Sequence, residues 1–124
     1  MPGPETLPSS MRKKKRYIAF RIISENELEF SDIVNAFWHS LLDVFGEVQT
    51  SSINFWLVKD AWNKEKQSGL IKCNHRHVSK IRLALALLTR IGDEEVSVKT
   101  IGVSGTLKSA KKKYMEEKDL KNFE

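Results

Sequence analysis

The sequence has one cysteine, Cys73, three prolines confined to its first eight residues, and no apolar run near the ~20 residues that span a bilayer. A lone cysteine excludes an internal disulfide, and without a membrane span the chain reads as soluble and cytoplasmic. The opening MPGPETLPSS lacks the apolar centre of a signal peptide, and its Pro, Ser and Gly content predicts a flexible leader over residues 1–11. Catalytic signatures are missing as well. The G-x-x-x-x-G-K-[ST] spacing of a phosphate loop is absent, no Ser, His and Asp set stands out, and the carboxylates are scattered. Nucleotide hydrolysis and stand-alone hydrolase chemistry therefore have no support, and no catalytic residue is assigned.

The 124 residues are 40% hydrophobic and 30% charged, a balance that buries one core and argues against wholesale disorder. One α+β domain over residues 12–118 is expected, followed by a disordered tail over residues 119–124. The net charge of +5 is unevenly spread. Arg12, Lys13, Lys14, Lys15 and Arg16 carry five positive charges, and Lys108, Lys111, Lys112 and Lys113 four more, leaving the remainder at −4. Neither stretch contains an acidic residue. Two concentrated cationic segments on a mildly acidic body suit a polyanion such as RNA, although solvated lysines are the plainer reading of each run alone.

Periodicity supplies the elements. Ile18, Phe20 and Ile22 alternate with Tyr17, Ala19 and Arg21, which predicts a half-buried strand over residues 16–24. From Ser31, a candidate N-cap, apolar residues recur at helical spacing until Gly46 offers a stop. Residues 52–60 and 70–73 read as a hairpin, and Asn74 as the cap of a second helix reaching Ile91 before Gly92. A strand over residues 96–103 and a basic helix capped by Thr106 complete the order βαββαβ plus a C-terminal helix. That order predicts a ferredoxin-like antiparallel sheet, similar to an RNA-recognition motif, with two helices on one face.

Three local constellations bear on chemistry. KCNHRH places Cys73, His75 and His77 at alternate positions, but a closed zinc site needs four ligands and the third histidine, His39, lies in the first helix. No metal site is assigned; Cys73 is expected to be a buried strand residue, with Arg76, His77 and Lys80 near bound phosphate. GVSGTLKSAKKK joins two glycines to a basic helix, a combination suited to an RNA backbone, in which Thr106 and the lysines at 108, 111, 112 and 113 would contribute. Its plainer reading is a turn followed by a soluble terminal helix. Tyr17 and Arg21, on the second face of the first strand, are placed as the base-stacking residues of an RNA-recognition motif would be, but base stacking is the less favoured mode, and packing of Tyr17 beneath the C-terminal segment is the alternative. Leu83 and Leu87 widen the apolar arc of the second helix, so they, or the side of the first helix carrying Trp38, are candidates for a protein interface. Cover by the C-terminal helix is the alternative.

The stretches RYIAFRI, TSSINFWLV, SGLIKC, HVSKIRLALALLTRI and VKTIGVSGTLKSAKKKY resemble, in that order, the ribonuclease P protein component 2 family. The leader has no counterpart in that resemblance, and the DAWNKEKQS loop is unusual for it. The resemblance implies a noncatalytic subunit that binds ribonuclease P RNA and precursor tRNA and pairs with protein component 3 in 5′ maturation. It allows a homodimer of this chain within a heterotetramer. The active site would lie in the RNA with its bound magnesium, so the protein would hold no cofactor. A eukaryotic source would place it in the nucleus or nucleolus. A free-standing RNA-binding module, or less readily a small-molecule regulatory domain, is the competing function on the same layout.

Overall fold

The computed structural model describes residues 14–115, and the leader, the tail over residues 119–124, Arg12 and Lys13 lie outside them. Strand β1, Lys15–Ile23, forms where the apolar alternation predicts it. It pairs antiparallel with β3, Ser68–Asn74, on one side and with β6, Ser97–Ser104, on the other. The two-residue strand β2, Trp56–Leu57, adds to the outer edge of β3, giving the order β2-β3-β1-β6. With helices connecting the strands, this is the split βαβ, ferredoxin-like arrangement expected from the sequence.

One face of the sheet carries Ile18, Phe20, Ile22, Ile71, Cys73 and Val98, and these form the main core with Ile33, Phe37 and Leu41 of α1, Phe30–Ser52, and with Ile81, Ala84 and Leu85 of α2, Val78–Leu87. Ala84 and Ser40 are small enough to let the two helices meet. Ser40 Oγ donates 2.7 Å to the Ala84 carbonyl in the buried contact. The other face is smaller. Ala19 and Leu70 pack there beneath Ala110, with Tyr17, Leu107 and Tyr114 around them. Ala110 and Leu107 belong to α3, Leu107–Ala110, which continues as a wide turn over Lys111–Met115 with i→i+5 spacing. Tyr17 thus lies under the C-terminal segment, and the central surface that an RNA-recognition motif leaves open is closed.

Several boundaries differ from the periodic reading. The first helix is preceded by Glu29, which makes no side-chain cap, while Ser31 sits inside it. Its first turn is fixed instead by tertiary contacts: Gln67 Oε1 accepts the Leu28 amide at 2.9 Å, and Phe30 meets the Trp62 ring edge-on at 5.9 Å. Gly46 does interrupt the helix, with φ 79°, but a further turn follows and Thr50 Oγ1 donates to the Leu41 carbonyl at 3.0 Å, locking the corner. The second helix stops at Leu87, short of Ile91. Residues Arg90–Ile91 (β4) and Glu94–Glu95 (β5) form a small hairpin around Gly92, whose φ is +63°. Ile91 is buried in this hairpin, as it would be in a helix, so its apolar character does not distinguish the two.

Trp62 of the DAWNKEKQS segment packs against the core. Trp62 stacks on Phe20 with centroids 6.2 Å apart, and the turn closes through reciprocal Asn63–Ser68 backbone bonds at 2.8 and 3.2 Å.

Gly102 is needed within β6. A Cβ there would stand 2.7 Å from Cε1 of Tyr114 and overlap its phenol, so the absence of a side chain lets α3 and its continuation lie flat on the sheet. Gly102→Ala should cost about 1–3 kcal/mol through overpacking. Combined with Tyr114→Ala it should cost less than the two single changes added together, as urea denaturation of the four proteins would reveal. Additive costs would show that the ring does not seat on Gly102.

Candidate nucleic-acid interface

Antiparallel pairing brings the beginning of β1 to the ends of both β3 and β6. The register sets Lys15 opposite Asn74, Arg16 opposite Cys73, and Tyr17 opposite Ser104. Three segments far apart in sequence therefore meet at one end of the sheet: Lys14 with the first residues of β1, the His75–His77 turn leading into α2, and the Gly105–Thr106 link leading into α3. The His75 amide donates to the Lys14 carbonyl at 2.8 Å, and Arg16 Nη1 lies 4.0 Å from where a Cβ on Gly105 would stand. No acidic residue occurs in any of the three. At the opposite end Glu25, Asp93, Glu94 and Glu95 line an open cavity of about 610 Å³ together with Arg90.

Side-chain caps fix the two turns that lead into α2 and α3. Asn74 Oδ1 accepts from the Arg76 amide at 2.9 Å, so Asn74 caps as expected, although it opens a 3-10 turn, His75–His77, before α2 begins. Thr106 Oγ1 accepts from the Ser109 amide at 3.1 Å and Ser104 Oγ donates to Ser109 Oγ at 3.1 Å. These hydroxyls hold the second turn in place. Since α3 has only four residues, its macrodipole adds little, and lysine charge has to carry any anion attraction.

The structure groups Lys14, Lys15, Arg16, Arg76, His77 and Thr106 at this end, with Lys108 in the first turn of α3. Lys108, Lys112 and Lys113 are exposed while Lys111 is half-buried. Lys80 is directed elsewhere: its ammonium stands 5.8 Å from the centre of the Phe45 ring, beside α1. Lys72 is the cation that sequence reasoning missed; it follows a buried isoleucine in β3, and only the pairing with Tyr17 and Trp56 places it beside the basic end. Leu83 and Leu87 are 47% and 56% exposed on α2, across the sheet from α3, so α3 does not cover them. Trp38 is turned into the core, 4.7 Å from Phe55 between ring centres.

Among the described residues no cluster of three or more His, Cys, Asp or Glu is arranged to hold a metal. Cys73 is a buried strand residue, as expected. Burial pushes its thiol up to about 11, overriding the opposing pull of the Lys15 and Arg16 charges.

The Rpp14/Pop5 family model matches residues 16–115. The chain belongs to the Rpp14/Pop5 family. Relatives include the ribonuclease P protein component 2 of Pyrococcus furiosus, 39% identical over 92% of this chain and 93% of the relative. That of Archaeoglobus fulgidus is also 39% identical, over 89% and 96% of the two chains. A chain of the yeast ribonuclease MRP cryo-EM structure superposes with a TM-score of 0.62 at 13% identity, covering 90% of this chain and 95% of that one. That likeness concerns the fold.

The Cys73 thiol offers a check on how tightly this end is closed. With its pKa raised from 9.0 to about 11, the thiolate fraction at pH 8 falls roughly 100-fold relative to the unfolded chain. Native protein should react with a maleimide about that much more slowly than protein in guanidinium, and the rate should climb steadily from pH 8 toward 11. Equal rates would mean that β3 does not bury Cys73. Because the folded pKa is the higher one, any stability this group contributes is complete below pH 9 and is lost as pH rises toward 11.

Proposed function

We propose that this Rpp14/Pop5 family member is a noncatalytic RNA-binding subunit of ribonuclease P, supporting the catalytic RNA during removal of the 5′ leader from precursor tRNA. The convergence at one end of the sheet of three acid-free segments, two bearing cations and the third leading into the lysine-bearing α3, carries the reading. The names of the relatives supply the complex, and the closed sheet centre favours phosphate contact over the base platform of an RNA-recognition motif. Chemistry in this reading belongs to the RNA and its magnesium, with the protein lowering phosphate repulsion around it.

Phosphate contact has a measurable signature, because each neutralised phosphate releases counterions. Replacing Lys108, Lys112 and Lys113, the exposed lysines of α3 and its continuation over Lys111–Met115, with Gln should flatten the log affinity versus log salt slope for cognate ribonuclease P RNA by about two units. Circular dichroism should be unchanged. A parent-like slope and affinity would reduce this helix to a solvated terminus.

The exposed pair on α2 supports a protein interface for component 3. Leu83 and Leu87 are one helical turn apart, and Leu87 borders a groove of about 410 Å³ together with Ala36, His39 and Leu88. Leu83→Ser with Leu87→Ser should weaken binding of component 3 at least tenfold by calorimetry, with a shift in melting temperature of only a few degrees. Retained affinity would move the interface elsewhere.

A further inference from the structure

The three tryptophans have different surroundings. Trp38 packs against Phe55 and Trp62 stacks on Phe20, whereas Trp56 remains 69% exposed. It sits on β2, the edge strand whose outer side pairs with nothing among the described residues. Its side chain lies on the sheet face opposite α1 and α2, because Leu57 beside it turns into the main core. Register then sets a row across three strands: Trp56 opposite Lys72, and Lys72 opposite Tyr17. Lys15, two residues before Tyr17, points to the same face. With strands about 4.8 Å apart, the indole stands ~10 Å from Tyr17, at the margin of the basic end.

An isolated exposed apolar residue is ordinary on any protein. An indole bordered by cations is a different surface. The ion pairs Lys64–Glu27 and Arg90–Glu95 lie elsewhere and involve neither Lys72 nor Lys15. A partner for this margin should therefore be anionic and also offer a flat apolar face. A protein segment rarely provides both; a strand of unpaired nucleotides does so at every residue.

We propose that Trp56 is a stacking platform for an unpaired base of bound RNA, with Lys72 and Lys15 facing the adjacent phosphates. The proposal rests on the RNA-binding reading and adds a base contact to a surface otherwise described through phosphate. Stacking of this kind tolerates any base, so it fixes the path of a strand without selecting sequence.

The test uses the full chain with two polyanions, a ten-nucleotide oligoadenylate and a polyphosphate of matching charge. Trp56 supplies the long-wavelength emission, since Trp38 and Trp62 are packed on aromatic rings. Oligoadenylate should quench that emission and polyphosphate should not. Trp56→Ala should lose roughly 5- to 150-fold in oligoadenylate affinity, keep the salt slope, and bind polyphosphate as the parent does. Trp56→Phe should retain most of the affinity. Equal quenching by both polyanions, or a loss shared by both, would overturn the proposal. Salt-dependent oligoadenylate binding that Trp56→Ala leaves intact would also overturn it while leaving the RNA reading standing. Failure of either polyanion to bind in a salt-dependent way would remove the RNA reading and this proposal together.

Discussion

Strand β1 is hydrogen-bonded along both edges, and most of the molecule follows from that double pairing. Its alternation commits Ile18, Phe20 and Ile22 to the face under α1 and α2, and Tyr17, Ala19 and Arg21 to the other. A slip of one residue would exchange the two sets, so burial of the first face fixes the register. The same register decides where charge goes. Because both neighbours run antiparallel, the residues leading into β1 have to lie beside the residues leaving β3 and β6. The basic end is thus a consequence of core formation, and it needs no mutual attraction among the cations.

The second face explains how this fold differs in use from an open RNA-recognition sheet. Small residues at its centre, Ala19 and Gly102, let Ala110 and Tyr114 descend onto the strands. That closure removes the central stacking surface and anchors the lysine segment next to the basic end. Among the described residues this face stays open at the β2 margin, where Trp56 stands, and toward its other end, where Arg21 and Lys99 are exposed. Glu25, Asp93, Glu94 and Glu95 lie at the far end around the β4–β5 hairpin with Arg90, and the Glu94 carboxylate accepts from Asn26 at 3.1 Å.

Much of this is legible from residue order. The alternation of β1, the helical spacing of α1, the caps at Asn74 and Thr106 and the buried position of Cys73 are local patterns, and local patterns survive translation into structure. Nonlocal features are not legible in that way. A cap at Ser31 is displaced because Gln67 and Trp62, more than thirty residues away, set the first turn of the helix. Trp62 itself lies in a polar run with no periodicity to mark it as core. Periodicity makes the second helix too long because Ile91 is buried in a hairpin as readily as in a helix. At the site, the clusters of lysine and arginine are visible, but their meeting with Arg76, and the arrival of Lys72 and Trp56, depend on sheet pairing that no linear spacing encodes. Lys80 shows the converse: near the cluster in sequence, it turns to Phe45.

Amide hydrogen exchange of the full chain, with and without the cognate ribonuclease P RNA, tests the central claim most directly, because it reports the footprint without altering a residue. New protection is expected in three separated stretches, residues 14–17, 74–77 and 104–113, arising together at one RNA concentration. Protection confined to α1 and α2, or in only one of those stretches, would contradict a single RNA surface built by the two pairings of β1.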